Sequence, residues 1–227
     1  MNAAEPLLRA DVYRLLALGF AHPSPERLQA LAALLEELLA AALPSPLRLP
    51  LQALQAALAA SSQPEVEGAY HRLFATTVAV PPCESSYSRE DKGALLLDVS
   101  GFYRAFGLAA GRAQEPPDSI GHELEFMGIL ALKEALARQQ GRAEAVDVTV
   151  AAQRDFLQEH LGRWYAALAA RLQAASPLPF YQALAALLAA WGQAELARYG
   201  LQPQPLTSAL PLVETETLSC PLAAPQS

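Results

Sequence analysis

The stretch from Pro116 to Arg138 constrains the fold more than any other part of the chain. Its paired prolines predict a helix start, because proline is tolerated in the first turn, and either Asp118 or Ser119 can cap the free amides. At 100° per residue this helix carries two apolar stripes on nearly opposite sides, and both favour burial. We therefore expect the helix to lie inside a helical bundle. The first stripe comprises Ile120, Leu124, Met127 and Ala131, and the second comprises Ile129, Leu132 and Leu136.

Glu123 and Glu125 lie two residues apart on the same helix. Glu125 falls within the second apolar stripe, where an unpaired carboxylate would cost several kcal/mol. We therefore expect Glu123 and Glu125 to have an internal partner or a binding role. The candidate ion-pair partners are Arg104, Arg112 and Arg163.

The rest of the chain repeats apolar residues at helical spacing, and Pro, Ser and Gly separate the runs. Hydrophobic residues make up 52% of the 227 positions and charged residues 17%, with an excess of the helix formers Ala and Leu. This pattern predicts an all-α, single-domain bundle of about nine helices over residues 1–200. The Pro-rich residues 201–227 are predicted to form an irregular C-terminal tail.

Proline positions also set two expected helix boundaries. The third helix is predicted to begin near Leu51, because Pro44, Pro46 and Pro50 precede it. A polar link over residues 139–147 is expected to lead into one long helix that ends at Ser176 and Pro177. His160 lies within this long helix, four residues from Phe156 and from Trp164, and is therefore interpreted as a packed core histidine.

Charge and hydropathy exclude several classes of protein. The net charge of −7 argues against nucleic-acid binding and favours a cationic partner. No uninterrupted apolar run is long enough for a membrane span, and the N-terminus lacks the pattern of a signal peptide, so a cytoplasmic protein is expected. Cys83 and Cys220 lack the spacing of a zinc or redox motif and are not expected to form a disulfide.

No catalytic signature is present. His122 and Glu123 begin a zinc-protease pattern, but the position of the second histidine holds Phe126. The other histidines, His22, His71 and His160, lie in separate predicted segments. We therefore predict no catalytic residues, no metal site and no cofactor.

Three segments together resemble the TorD/DmsD/NarJ family of redox enzyme maturation chaperones. They occur in the family's order and spacing, with an E-x-x-Y element followed by a P-D-x-x-x-x-E-L-x-F-M element. These segments are Glu84–Tyr87, Pro117–Met127 and Phe156–Trp164. The resemblance implies an all-α cytoplasmic binding protein rather than an enzyme.

The implied partner is the catalytic subunit of a molybdopterin oxidoreductase. The chaperone would bind its twin-arginine signal peptide or its apo form, and assist cofactor insertion before export. Two guanidinium groups followed by an apolar stretch need carboxylates beside an aromatic groove. The resemblance, together with this chemistry, implies the peptide-binding residues Tyr70, Leu73, Phe74, Pro82, Cys83, Glu84, Tyr87, Asp118, Ser119, Glu123 and Phe126.

A second hypothesis belongs to a different class. The chain could be a helical metal-binding protein or enzyme that uses His122, Glu123, Glu125 and His160 as ligands. This alternative requires the structure to bring these four side chains together.

Overall fold

The computed structural model describes residues 3–41, 45–108 and 116–207, which form nine α-helices and no β-strand. The prediction of an all-α bundle is confirmed. A π-helical turn, His71–Ala75, follows the fourth helix, and a short 3₁₀ turn, Glu84–Ser86, precedes the fifth. The helices are α1 Ala4–Phe20, α2 Pro25–Ala40, α3 Ser45–Ala59, α4 Gln63–Tyr70, α5 Lys92–Ala105, α6 Ile120–Gln139, α7 Ala143–Glu159, α8 Leu161–Ala175 and α9 Pro179–Tyr199.

Four of the helix starts follow local capping signals in the sequence. Ser24 accepts a hydrogen bond from the Arg27 N–H at the start of α2, with proline in the first turn. At the start of α4, the Ser62 N–H donates to the Glu65 carboxylate, which forms a capping box. Asp91 caps α5 as Ser24 caps α2: its side chain accepts a hydrogen bond from the Ala94 N–H. These contacts fix where α2, α4 and α5 begin.

The predicted start of α3 near Leu51 is wrong. The helix begins at Ser45, so Pro46 lies in its first turn and Pro50 lies inside it. Proline in the first turn costs little, because its missing N–H has no intrahelical partner there. Pro50 removes one later backbone bond, which the burial of Leu47, Leu51 and Leu54 in the core offsets.

The predicted long helix is two helices. The chain breaks at His160, whose φ of −127° and ψ of −101° are not helical, and α7 and α8 lie on either side. Gly162 makes the break possible, because a Cβ on this residue would lie only 2.1 Å from the Leu157 carbonyl oxygen. The sequence periodicity did not reveal the break, since apolar positions continue through it.

Helix α6 packs along α1 on one side and against α7 on another, while α9 contacts α3 and α8. The first apolar stripe of α6 is buried as predicted, but the second is not. Leu132 is 52% exposed and Leu136 is 50% exposed, and Glu125 is also exposed. The expectation that both stripes of α6 are covered is therefore wrong, because α1 and α7 leave this surface open.

A buried polar network ties four helices together. Arg9 on α1 forms ion pairs with Glu134 on α6, at 3.1 Å, and with Glu195 on α9. The Tyr13 hydroxyl donates to Glu195 at 2.7 Å, and the Gln153 amide on α7 donates to Glu134 at 2.9 Å. Because each charge has several partners, the network compensates the cost of burial.

No helix in the described part of the chain is both long enough and apolar enough to cross a lipid bilayer. After α9 the backbone continues to Thr207, and the Leu206 N–H donates to the Arg163 carbonyl at 2.8 Å. Residues 208–227, which include Cys220, lie outside the described residues. The predicted tail boundary and the predicted absence of a disulfide therefore stay predictions.

Candidate functional site

The connection from residue 76 to residue 91 is fixed to the bundle at several points. The Val80 N–H donates to the Leu73 carbonyl at 2.8 Å, and the Arg171 side chain donates to the Ala79 carbonyl at 2.7 Å. The Tyr87 hydroxyl donates to the Pro81 carbonyl at 3.0 Å, and its ring packs against Trp164 at a tilt of 39°. These contacts hold the loop in a defined position beside the start of α6.

The loop and the start of α6 form a short antiparallel bridge between Cys83 and Ser119. The Glu84 N–H donates to the Asp118 carbonyl at 2.9 Å, and the Ile120 N–H donates to the Pro82 carbonyl at 2.8 Å. The pairing places Glu84 directly beside the first turn of α6.

Asp118 joins the same loop through its side chain. Its carboxylate accepts a hydrogen bond from the Ser85 N–H at 3.0 Å. Of the two capping candidates, Ser119 is the one that caps α6, by accepting from the His122 N–H. Asp118 therefore holds the loop and does not act as the N-cap.

Three carboxylates converge in the interior behind this bridge. Glu84, Asp118 and Glu123 are fully buried, and we call them the acid cluster. The Trp164 indole N–H donates to Glu123 at 2.9 Å, and His160 Nδ1 lies 3.0 Å from Glu84 Oε2. One oxygen of each carboxyl group has no hydrogen-bond partner within the described residues. Partly unsatisfied buried acids are expensive and are typical of functional sites.

The acid cluster changes the ionisation of Glu123. Burial raises the pKa of Glu123 well above the ordinary value of 4.5, and the negative charges of Glu84 and Asp118 raise it further. The hydrogen bond from Trp164 acts in the opposite direction. Burial therefore favours the neutral, protonated form of Glu123.

An open cleft of about 830 Å³ leads from solvent to this cluster, and we call it the acidic cleft. His160 lies at its inner end, with Nδ1 facing Glu84 and Nε2 lying 3.4 Å from Asp98 on α5. The Asp98 side chain is 66% exposed. Other residues that line the cleft are Glu90, Ala94, Leu95, Leu97, Gln158, Glu159, Arg163 and Gln204.

Charge in the acidic cleft is mainly negative. Glu84, Glu90, Asp98 and Glu159 contribute carboxylates, whereas Arg163 is its fixed cation. Arg163 donates to Glu90 at 2.9 Å and to the Gln204 carbonyl at 3.4 Å. This cleft can therefore bind a cationic group beside the exposed Asp98.

The predicted peptide-binding residues fall into two sets. Glu84, Asp118 and Glu123 are the acid cluster itself and are buried, and Tyr87, Ser119 and Phe126 are buried as well. Pro82 and Cys83 are half-buried in the bridge. Tyr70 and Phe74 contact each other, and Phe74 packs against Phe20 and Tyr181. Leu73 is buried in the core. Peptide binding at these eleven positions stays a prediction.

The predicted arginine partners of Glu123 and Glu125 do not pair with them in the described residues. Arg163 binds Glu90, and the partner of Glu123 is Trp164. Arg112 lies outside the described residues. Glu125 is exposed on the outer side of α6, so it needs no internal partner.

The alternative metal site does not assemble. His122 Nδ1 lies 2.8 Å from Ser119 Oγ and 3.0 Å from the Pro116 carbonyl, and Glu125 is on the exposed side of α6. Within the described chain, His122, Glu123, Glu125 and His160 do not form a group of ligand atoms close enough for one metal ion.

Sequence reasoning missed the outer carboxylates of the cleft. Glu90, Asp98 and Glu159 come from a loop, from α5 and from the end of α7, which are far apart in the chain. The sequence does mark Asp98 as unusual, because this aspartate interrupts the apolar run that begins with Leu95, Leu96 and Leu97. Its neighbours in space could not be inferred from that signal.

The chain is similar to a known family and to a curated protein. Residues 40–170 match the family described as nitrate reductase delta subunit, which covers more than half of the chain. The perchlorate reductase assembly chaperone protein of Dechloromonas aromatica (strain RCB) is 31% identical over 125 residues. That alignment covers 53% of this chain and 55% of the relative, so the chain spans about half the length of the curated relative that it matches.

Proposed function

Since the chain belongs to the nitrate reductase delta subunit family, as its resemblance to the TorD/DmsD/NarJ chaperones predicted, we propose that it is an assembly chaperone for a molybdoenzyme. Its client is the catalytic subunit of a molybdopterin oxidoreductase. The chaperone binds the twin-arginine signal peptide or the apo form of this subunit in the cytoplasm and assists cofactor insertion before export. It acts by binding and not by catalysis. The name of its relative, an assembly chaperone, supports this proposal.

The observation that carries the proposal is the acidic cleft above His160. A guanidinium group forms strong, paired hydrogen bonds with carboxylates, especially where water is partly excluded. Asp98 and Glu90 lie at the open side of the cleft, while Glu84 lies at its inner end. A segment with two neighbouring arginines can therefore contact the outer carboxylates while the acid cluster adds negative potential from below.

Apolar contact is available in the same place. Leu97 is 67% exposed on α5, next to Asp98, and Ala94 and Leu95 also line the cleft. Exposed leucine beside carboxylates suits a segment in which arginines are followed by apolar residues. This combination favours a signal peptide over a purely polar ligand.

The experiment is a calorimetric titration of a synthetic twin-arginine signal peptide into the full chain. We expect Asp98→Asn to weaken binding by about tenfold, because charged hydrogen bonds are worth roughly 1.5 to 3 kcal/mol each. Asp147→Asn is the matched control, since Asp147 is an exposed aspartate on α7 outside the cleft. Replacing both peptide arginines by lysine is expected to weaken binding as well, because lysine cannot form paired bonds.

A second variant distinguishes the acidic cleft from the groove between the loop of residues 81–87 and the start of α6, which we call the loop groove. Asp118→Asn retains an acceptor for the Ser85 N–H but removes charge from the acid cluster. A loss of affinity in Asp118→Asn with unchanged binding by Asp98→Asn would favour the loop groove. Equal affinities in wild type and both variants, at equal melting temperature, would contradict both locations.

A further inference from the structure

Two histidines and a glutamate from separate segments meet on a face outside the acidic cleft. His22 lies in the short connection between α1 and α2. Glu67 lies on α4, and His71 follows it by four residues at the start of the π-helical turn. Residues four apart in a helix lie on the same side, so Glu67 and His71 both face the His22 connection.

Ligand atoms of these three side chains lie close enough together to be candidate ligands of one metal ion. One ligand atom from each residue can be chosen so that all lie within 4.8 Å of one another. His22 Nε2 lies 3.6 Å from Glu67 Oε1, close to the roughly 3.4 Å between neighbouring ligand atoms that zinc bond lengths give in a tetrahedral site. We propose that His22, Glu67 and His71 form a binding site for a divalent first-row metal ion, with Zn²⁺ as the expected occupant.

Neighbouring groups hold these ligands in place. The Gln63 amide donates to Glu67 Oε2 at 2.8 Å and to the Pro23 carbonyl at 3.3 Å, so one side chain links both segments of the site. Arg27 donates to the His22 carbonyl at 3.0 Å. Outer contacts of this kind orient metal ligands and strengthen metal binding.

The rings around the site are packed together. The Tyr70 ring lies 5.3 Å from the His22 ring, and the two histidine rings lie 5.5 Å apart, both in edge-to-face geometry. Residue His71 begins a π-helical turn. Such turns are rare in proteins, and those that do occur are often found at functional sites, so this turn also supports the proposal.

The site is open to solvent. The His22 and Glu67 side chains are 43% and 37% exposed, and His71 is also exposed. Three protein ligands leave at least one coordination position for water or for a side chain of a bound protein. Two imidazoles with one carboxylate suit zinc and its first-row neighbours rather than calcium or magnesium, which prefer all-oxygen sites.

The test is calorimetric titration of Zn²⁺ into the full chain, without an affinity tag, with Co²⁺ absorption as a second measurement. We expect one tight site in the wild type. Each of His22→Ala, Glu67→Gln and His71→Ala is expected to weaken Zn²⁺ binding by roughly tenfold or more, and Gln63→Ala less. The bound Co²⁺ spectrum should be lost in the histidine variants.

Matched controls are His122→Ala and Glu36→Gln, which change a histidine and an exposed glutamate outside the site. Both should bind Zn²⁺ like the wild type, and melting temperatures should show that all variants are folded. Absence of Zn²⁺ binding by the wild type would overturn the proposal. Binding that survives all three ligand substitutions would also overturn it, because the metal would then be held elsewhere, for instance by thiols.

Discussion

The Nδ1 atom of His160 lies 3.0 Å from Oε2 of Glu84, although 76 positions separate the two residues in the chain. The contact exists because the backbone breaks between α7 and α8, which turns His160 towards the loop that carries Glu84. The same break places His160 at the inner end of the acidic cleft. The local geometry around residue 160 is therefore central to the candidate site.

Gly162→Ala is expected to lower the free energy of unfolding by roughly 1 to 3 kcal/mol, because the new Cβ would collide with the Leu157 carbonyl. Gly101→Ala on α5 is the control, since nothing lies within 4 Å of its added Cβ. That control should stabilise by roughly 0.5 to 1 kcal/mol, as expected for alanine in a helix. Urea denaturation measures the free energy of unfolding of both variants. A Gly162→Ala variant as stable as wild type would contradict the argument for the break.

Trp164→Phe tests the hydrogen bond to Glu123. Removing the indole N–H leaves a buried carboxyl oxygen without its donor, which costs roughly 1 to 3 kcal/mol beyond the loss of ring volume. Trp191→Phe is a matched control, because the Trp191 N–H makes no hydrogen bond within the described residues. Trp164→Phe should therefore lower the free energy of unfolding, measured by chemical denaturation, more than Trp191→Phe does. Equal losses would show that the bond contributes nothing.

Glu123→Gln should change how stability depends on pH. The pKa of Glu123 is raised in the folded protein, so its stabilising contribution is present below the ordinary value of 4.5 and is lost as pH rises towards the folded pKa. Glutamine stays neutral and retains the acceptor for Trp164. The variant should therefore gain stability relative to wild type by about 1.4 kcal/mol per pH unit between the two pKa values.

Urea unfolding between pH 5 and pH 8 provides this comparison. Glu125→Gln, two residues further along α6, is the control, since Glu125 is exposed. Its stability should follow the wild-type pH dependence. Parallel curves for Glu123→Gln and wild type would mean that the pKa of Glu123 is not raised.

Arg9→Met is expected to destabilise the bundle by roughly 3 to 5 kcal/mol, because Glu134 and Glu195 would stay buried without their shared cation. Arg198→Met is the control, since Arg198 pairs with Glu5 near the surface, where ion pairs are worth about 0 to 1 kcal/mol. Thermal unfolding followed by circular dichroism compares the two variants. Similar melting temperatures would contradict a structural role for the buried network.

Part of the candidate site could be predicted from the sequence. Glu84, Asp118 and Glu123 were selected from motifs, and the structure brings them together behind the bridge between Cys83 and Ser119. The burial of these three carboxylates was not predicted, because a motif specifies residue types and spacing but not which side of a helix or loop the rest of the protein covers. Asp98 was missed for the same reason, since its relation to His160 depends on how α5 packs against the end of α7.

The sequence by itself determined the helical class, the number of helices to within about one, and several helix starts. Signals such as Ser24 before Pro25, or Ser62 before Glu65, act between residues at most four apart, so they can be recognised without knowledge of the fold. Gly200 ends α9 with a left-handed backbone for the same local reason.

Only the tertiary structure decided which faces are buried and which distant polar groups meet. Glu125 is exposed and Glu123 is buried because α1 and α7 cover one side of α6 and leave the other open. The contacts of Arg9 with Glu195, of His160 with Glu84 and of His22 with Glu67 join residues far apart in the chain. Such contacts depend on how whole helices pack, and no short stretch of sequence encodes that packing by itself.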